Sequence, residues 1–117
     1  GGTPVRNVQE RLRDIVEAIE RIERYAIRGR SAFENDELIQ IWMVSHIQII
    51  GEASNALPDE LKQAYPEIPW RQIIGMRHIL VHQNFEVDLD VVWTTVTRDL
   101  PPLKRAVKTI LLPEDRG

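Results

Sequence analysis

The sequence predicts an all-α, mostly antiparallel bundle of about five helices, and three observations carry that reading. Apolar residues recur at three- and four-residue spacing over 8–26 and again over 35–57, the period of helices that bury part of their surface. Apolar/polar alternation never holds for more than a few residues, so no half-buried strand is marked. The periodic segments break at helix punctuation: Gly29 and Ser31, Pro58, Pro66 and Pro69, and Pro101-Pro102. With 117 residues, 43% of them apolar, the chain suits one domain around one core, which excludes an enzyme with separate cofactor and substrate lobes.

In the first segment Val8, Leu12, Ile15, Ile19, Ile22 and Ala26 line one narrow stripe. Its other faces carry Arg11, Arg13, Asp14, Glu17, Glu20, Arg21, Glu23 and Arg24, with opposite signs three and four apart, as on a solvated surface. Gly29 and Ser31 mark a short connection. Over 35–57, Leu38, Trp42, Ile49, Ala53 and Ala56 form one stripe while Ile41, Val44 and Ile47 lie on other sides. A helix apolar nearly all round needs two burial partners: its own bundle and, since a short chain has few other elements to offer, a second copy. A two-fold homodimer is therefore expected. Asn35 or Asp36 caps this helix and Pro58 stops it.

Pro58 then opens one or two turns over 59–65, and Pro66 and Pro69 force an extended connector. A further helix is expected from 70 to 82 or 84, a break near Phe85-Glu86-Val87, and a last helix capped by Asp88 through Val91, Val92, Trp93 and Val96. Pro101-Pro102 must kink or interrupt it, because neither has an amide to donate, before Leu103, Val107, Ile110 and Leu111 resume the period. Gly1-Gly2-Thr3-Pro4 reads as a cloning remnant, leaving 1–5 outside the fold, 6–112 as the bundle domain and 113–117 as a tail.

A formal net charge of −3 with 28% charged residues fits neither a disordered polyelectrolyte nor a basic protein that coats nucleic acid; any nucleic-acid contact must be a local patch. Of the 15 basic residues only Lys62, Lys104 and Lys108 are lysine, and arginine forks suit carboxylate and phosphate oxygens alike. The lack of cysteine removes disulfides, thiolate zinc sites and cysteine nucleophiles. No apolar run approaches the ~20 residues that span a bilayer, so a cytoplasmic protein without membrane association is expected. A Gly-rich phosphate loop, a G-x-S-x-G elbow and an H-E-x-x-H motif are all missing, which rules out P-loop nucleotide hydrolysis.

One position breaks the pattern. On a helical wheel for 70–85, Trp70, Ile73, Ile74, Leu80 and Val81 define the buried stripe, and Arg77 falls near its middle. Burying an unpaired guanidinium costs several kcal/mol, so Arg77 must reach a carboxylate such as Glu52, a phosphate, or a water-filled cleft. His78 and His82, four apart, share one shoulder of that helix and can face one cleft. A metal site would need a third ligand that the spacing does not supply, so no metal and no cofactor is expected. Arg77 and His82 are five apart, separated by about 140° and ~7.5 Å of rise in a regular helix. They share a site only if the helix end bends or a two-fold partner brings its own pair alongside. His46, among apolar neighbours, reads as a hydrogen-bonded core or interface histidine, and Trp42, Trp70 and Trp93 as core aromatics.

The run Ile68-Pro69-Trp70-Arg71-Gln72-Ile73-Ile74-Gly75-Met76-Arg77-His78-Ile79-Leu80-Val81-His82-Gln83-Asn84-Phe85, with Val87-Asp88 and Val92-Trp93 after it, resembles the HepT toxin branch of the HEPN superfamily. Gly51-Glu52-Ala53, Leu57-Pro58 and Tyr65-Pro66-Glu67 extend the likeness over nearly the whole chain. The resemblance implies a helical homodimer acting as a metal-independent endoribonuclease, the toxin of a toxin–antitoxin pair whose antitoxin is a minimal nucleotidyltransferase. It makes Arg77 and His82 the catalytic R-x4-H pair, and His78 fills the next position, where the superfamily often carries Asn, Asp or His. The family pattern continues with a tyrosine two residues after the histidine, whose hydroxyl the antitoxin adenylylates. Here Asn84 stands in that place, and an amide does not accept AMP in that way. Either the antitoxin restrains this chain by binding alone, or the chain has drifted from toxin activity, or Asn84 was introduced to stop modification.

Cutting RNA without a metal requires the 2′-hydroxyl to lose a proton, the 5′-oxygen to gain one, and the charge on phosphorus to be held. A histidine suits either proton step near neutral pH, and an arginine suits the third task. The expected roles are His82 as general base or acid, Arg77 as charge stabiliser, and His78 and Asn84 as supporting contacts to the phosphate or to His82. The acidic net charge favours selectivity for a particular folded RNA, or help from a partner, over long-range attraction. Magnesium and ATP, where they matter, belong to the antitoxin. The competing reading is a non-catalytic helical homodimer that binds a nucleotide, a phosphate or a partner protein; a third is a structural bundle with Arg77 paired to Glu52.

Overall fold

Leu12, Ile15, Ile19 and Ile22 stack along one face of α1 (Pro4–Ala26) because a 3.6-residue period brings every third and fourth side chain into line. In the computed structural model, which describes residues 4–78 and 88–115, all four are sealed from solvent together with Ala18. Each large aliphatic side chain so buried contributes ~1.5–3 kcal/mol relative to leaving it in water. The helix stops where Gly29 takes φ +93°, a conformation that L side chains rarely adopt. There follows a six-residue helix, α2 (Arg30–Asn35), where the sequence predicted only a connection. It is too short to show a period. It forms because Asn35 Nδ2 donates to the Ser31 carbonyl at 2.8 Å and because Phe33, fully buried, stacks on Trp93 at 5.4 Å.

Asp36 caps α3 (Glu37–Asn55) as expected, its carboxylate accepting from the amides of Leu38 at 2.9 Å and Ile39 at 3.4 Å. Ile39, Met43, Val44, Ile47 and Ile50 turn into the core, with most of the packing against α1. The predicted stripe is thereby corrected: Ala53 is buried and Trp42 half-buried, but Leu38 and Ile49 lie 77% and 44% exposed, with Ile41 at 50%. An all-apolar helix carries no compositional mark of which side meets the core; only the approach of α1 decides it. Trp42 Nε1 donates to the Arg21 carbonyl at 2.9 Å, tying α3 to α1. His46 is the hydrogen-bonded, buried histidine the sequence suggested. Its Nδ1 donates to the Trp42 carbonyl at 2.7 Å, so the proton sits on that nitrogen.

Pro58 opens α4 (Asp59–Gln63), and the connector with Pro66 and Pro69 is anchored by Trp70, whose Nε1 is shared by the carbonyls of Lys62 and Tyr65 at 3.0 Å each. Of the helix predicted over 70–82 or 84, the described residues form a regular α5 (Trp70–Gly75) and then, at Met76–His78, a tighter 3₁₀ turn. The expected break at Phe85-Glu86-Val87, with Leu80, Val81, His82 and Asn84, lies outside the described residues. Asp88 caps α6 (Leu89–Thr94), accepting from the amides of Asp90 and Val91. A π turn, Thr95–Asp99, then leads into α7 (Leu100–Asp115). It answers the Pro101-Pro102 problem: the helix widens where two proline rings would press on the carbonyls four residues back. Thr95 and Thr97 hydroxyls donate back to the Val91 and Trp93 carbonyls at 2.9 and 2.8 Å. Leu100, Leu103 and Val107 then pack on α1, where Lys104 Nζ reaches Glu23 at 2.7 Å. Among the described residues there is no strand, and the all-α architecture is as predicted.

Candidate active site

Ser45, Gln48, Ile49 and Glu52 recur at helical spacing on one face of α3, Arg11 and Asp14 stand three apart on α1, and the 3₁₀ turn packs Arg77 against α3 so that it shares a cleft with them. Together they line an open cleft of about 370 Å³. A wheel drawn at 100° per residue put Arg77 in the buried stripe; the structure corrects this. A 3₁₀ turn advances about 120° per residue, so the side chain rotates off the stripe, is half-buried, and faces the cleft.

The internal pair with Glu52 is not formed. Among the described residues Arg77 has no carboxylate within ion-pair distance, although Glu52 and Asp14 line the same cleft. Its Nε donates to His78 Nε2 at 3.1 Å, which requires that imidazole nitrogen to be the unprotonated one. The two terminal guanidinium nitrogens have no protein acceptor among the described residues, so the fork remains available to an oxyanion. His78 itself is exposed. His82 and Asn84, the other two residues the sequence placed here, lie outside the described residues.

Sequence reasoning missed Arg11, Asp14, Ser45 and Gln48 as cleft residues. Arg11 and Asp14 sit in a charge run that looks solvated throughout. Ser45, Gln48 and Glu52 did carry a signal, since three polar residues at i, i+3 and i+7 mark one side of a largely apolar helix.

Ser45 also borders a second, more apolar cavity of about 580 Å³, lined by Leu38, Ile41, Trp42 and Tyr25 among others. The outer face of α3 is thus continuous: apolar over its first half, polar where it meets Arg77. Among the described residues no three His, Asp or Glu side chains are grouped to hold a metal ion, and no described helix is long and apolar enough to cross a membrane.

Fold and site together define a small helical-bundle protein with an arginine, unpaired among the described residues, set in an open cleft between two helices and a 3₁₀ turn. Residues 15–110 match the family described as ribonuclease HepT-like, and the chain belongs to that family, as the resemblance in the sequence implied. It is 42% identical over 102 residues to a protein of Thermococcus cleftensis named "Probable ribonuclease HepT", covering 85% of this chain and 91% of the relative. A Caldanaerobacter subterraneus protein named "Putative RNase" is 32% identical over 112 residues, covering 96% and 97% of the two chains. A longer Methanocaldococcus jannaschii protein, named as both a gamma-glutamylcyclotransferase and a "putative RNase", is 36% identical over 113 residues, which are 96% of this chain and 51% of that one. No solved structure matches.

Proposed function

We propose that this chain is the toxin-type, metal-independent endoribonuclease of a toxin–antitoxin pair, working in the cytoplasm as a homodimer with Arg77 and His82 as its catalytic pair. The observation that carries the reading is Arg77: a half-buried guanidinium, unpaired among the described residues, opening into a cleft in a chain of the ribonuclease HepT-like family. The names of the Thermococcus and Caldanaerobacter relatives support RNA as the substrate class.

In the proposed step the 2′-oxygen attacks the adjacent phosphorus as the bond to the 5′-oxygen breaks, leaving a 2′,3′-cyclic phosphate and a 5′-hydroxyl. The 2′-hydroxyl proton goes to a base, and an acid returns one to the 5′-oxygen. His82 takes one of these roles. Arg77 holds the non-bridging oxygens through its two terminal nitrogens as charge builds on them. His78 accepts from Arg77 Nε, which steadies the plane of the fork; Asn84 supports the phosphate or His82.

The dimer rests on the outer face of α3. Leu38, Ile41 and Ile49 form an exposed apolar stripe ending at the Arg77 cleft, so a second copy laid over it by a two-fold axis would border that cleft and contribute its own pair. The proposed antitoxin is a minimal nucleotidyltransferase that restrains the chain by binding, since Asn84 offers no hydroxyl to adenylylate. Asn84 is also what favours the second reading, a homodimer that binds RNA or nucleotide without cutting. Incubating the pure protein with total RNA in EDTA, beside Arg77→Ala, decides between them. Cleavage by the parent and not by the variant supports the enzyme; binding of a short RNA with no cleavage by either replaces it with the second reading.

A further inference from the structure

We infer that Gly51 is a positioning residue for Arg77: the missing side chain lets α3 press against the 3₁₀ turn and so fixes where the guanidinium enters the cleft. The inference deepens the ribonuclease reading above and rests on it. Gly51 is buried inside the 19-residue α3, and its backbone is not in the positive-φ region, which only Gly29 occupies among the described glycines. A glycine inside a helix is disfavoured against alanine by about 1 kcal/mol, so conformational freedom does not account for it. Contact does. A Cβ built on Gly51 would stand 3.0 Å from Arg77 Cβ, 3.0 Å from the Ile73 carbonyl oxygen and 3.2 Å from the Arg77 amide nitrogen.

All three neighbours are backbone or the first side-chain atom, so none can swing aside as the end of a long side chain would. An added methyl group must move the turn itself by a few tenths of an ångström. That turn carries Arg77, and the next residue along α3, Glu52, lines the same cleft. A shift at Gly51 is therefore passed directly to the guanidinium. Misplacing a reacting group by 1 Å can cost on the order of 100-fold in rate, so a shift of a few tenths corresponds to roughly three- to sixfold.

The test is Gly51→Ala, alone and combined with Arg77→Ala, with kcat and KM for RNA cleavage measured in EDTA. Expected is a fall of about three- to sixfold in kcat with KM within about twofold of the parent, and no further loss when Gly51→Ala is added to Arg77→Ala, because a residue acting through Arg77 has nothing left to position. An additive loss in that background, or a parental kcat in the single variant, would overturn the inference. If the parent does not cut RNA, the ribonuclease reading fails by itself, and positioning is read from the ¹⁵N resonances of Arg77 Nε and His78 Nε2. Movement of both in Gly51→Ala upholds it and unchanged shifts refute it. Should Gly51→Ala not fold, the contact is read in the parent itself: a nuclear Overhauser effect between the Gly51 Hα and Arg77 Hβ protons upholds it, and its absence overturns it.

Discussion

Leu38→Asp should break the proposed homodimer while leaving the protomer intact. Leu38 is 77% exposed, so the isolated chain gains little from it, and an exposed substitution of this kind changes protomer stability by no more than ~0.5 kcal/mol. The new carboxylate would also sit in the first turn of α3, beside the Asp36 cap, where the helix dipole favours negative charge. In a two-fold dimer the same leucine is buried twice. Sealing a leucine is worth ~1.5–3 kcal/mol, and three quarters of that is still available here, so the pair of copies contributes ~2–4.5 kcal/mol to association. At ~1.4 kcal/mol per decade, losing it weakens the dimer by roughly 30- to 1,600-fold, before counting the cost of facing two carboxylates at one seam. Light scattering across a concentration series measures this directly, with circular dichroism to confirm the helices. A dimer constant within about threefold of the parent would refute the assignment of this stripe to the interface.

Asp36→Ala removes both side-chain bonds to the amides at the start of α3 and should cost about 1 kcal/mol, seen as a fall of about 4 °C in Tm at fixed protein concentration; an unchanged Tm would show that the cap contributes nothing. Burial raises the Asp99 carboxyl above its ordinary value of 3.8, with Arg98 opposing the shift. A raised folded-state pKa favours the protonated form, so its contribution is complete below 3.8 and is lost as pH climbs through the raised value. Asp99→Asn should therefore raise Tm at pH 7 and have less effect below pH 3.8, and a thermal scan showing the opposite order contradicts it.

The sequence disclosed the fold where a single stripe governs: the buried face of α1 and the caps at Asp36 and Asp88 follow from spacing and residue type alone. It was blind where geometry departs from 100° per residue. The 3₁₀ turn at Met76–His78 takes Arg77 out of the position a regular helix would give it, and the π turn at Thr95–Asp99 lets α7 accommodate two prolines that read as a break. The faces of α3 could not be told apart because isoleucine and leucine occupy both, and which is covered depends on α1, far away in sequence. Arg77 was legible as an anomaly for a sound reason: a cation among apolar positions needs an acceptor. The other cleft residues were hidden because Arg11 and Asp14 resemble any exposed pair on a charged helix.

The central claim is that Arg77 holds phosphoryl charge during metal-free RNA cleavage, and single-turnover cleavage of a defined RNA in EDTA by the parent, Arg77→Ala and His82→Ala tests it most directly. Removing one preorganised donor to a developing oxyanion costs on the order of 100- to 1,000-fold, so each variant should cut at least about 100-fold more slowly while remaining folded. A folded Arg77→Ala chain that cuts at the parental rate would contradict the account.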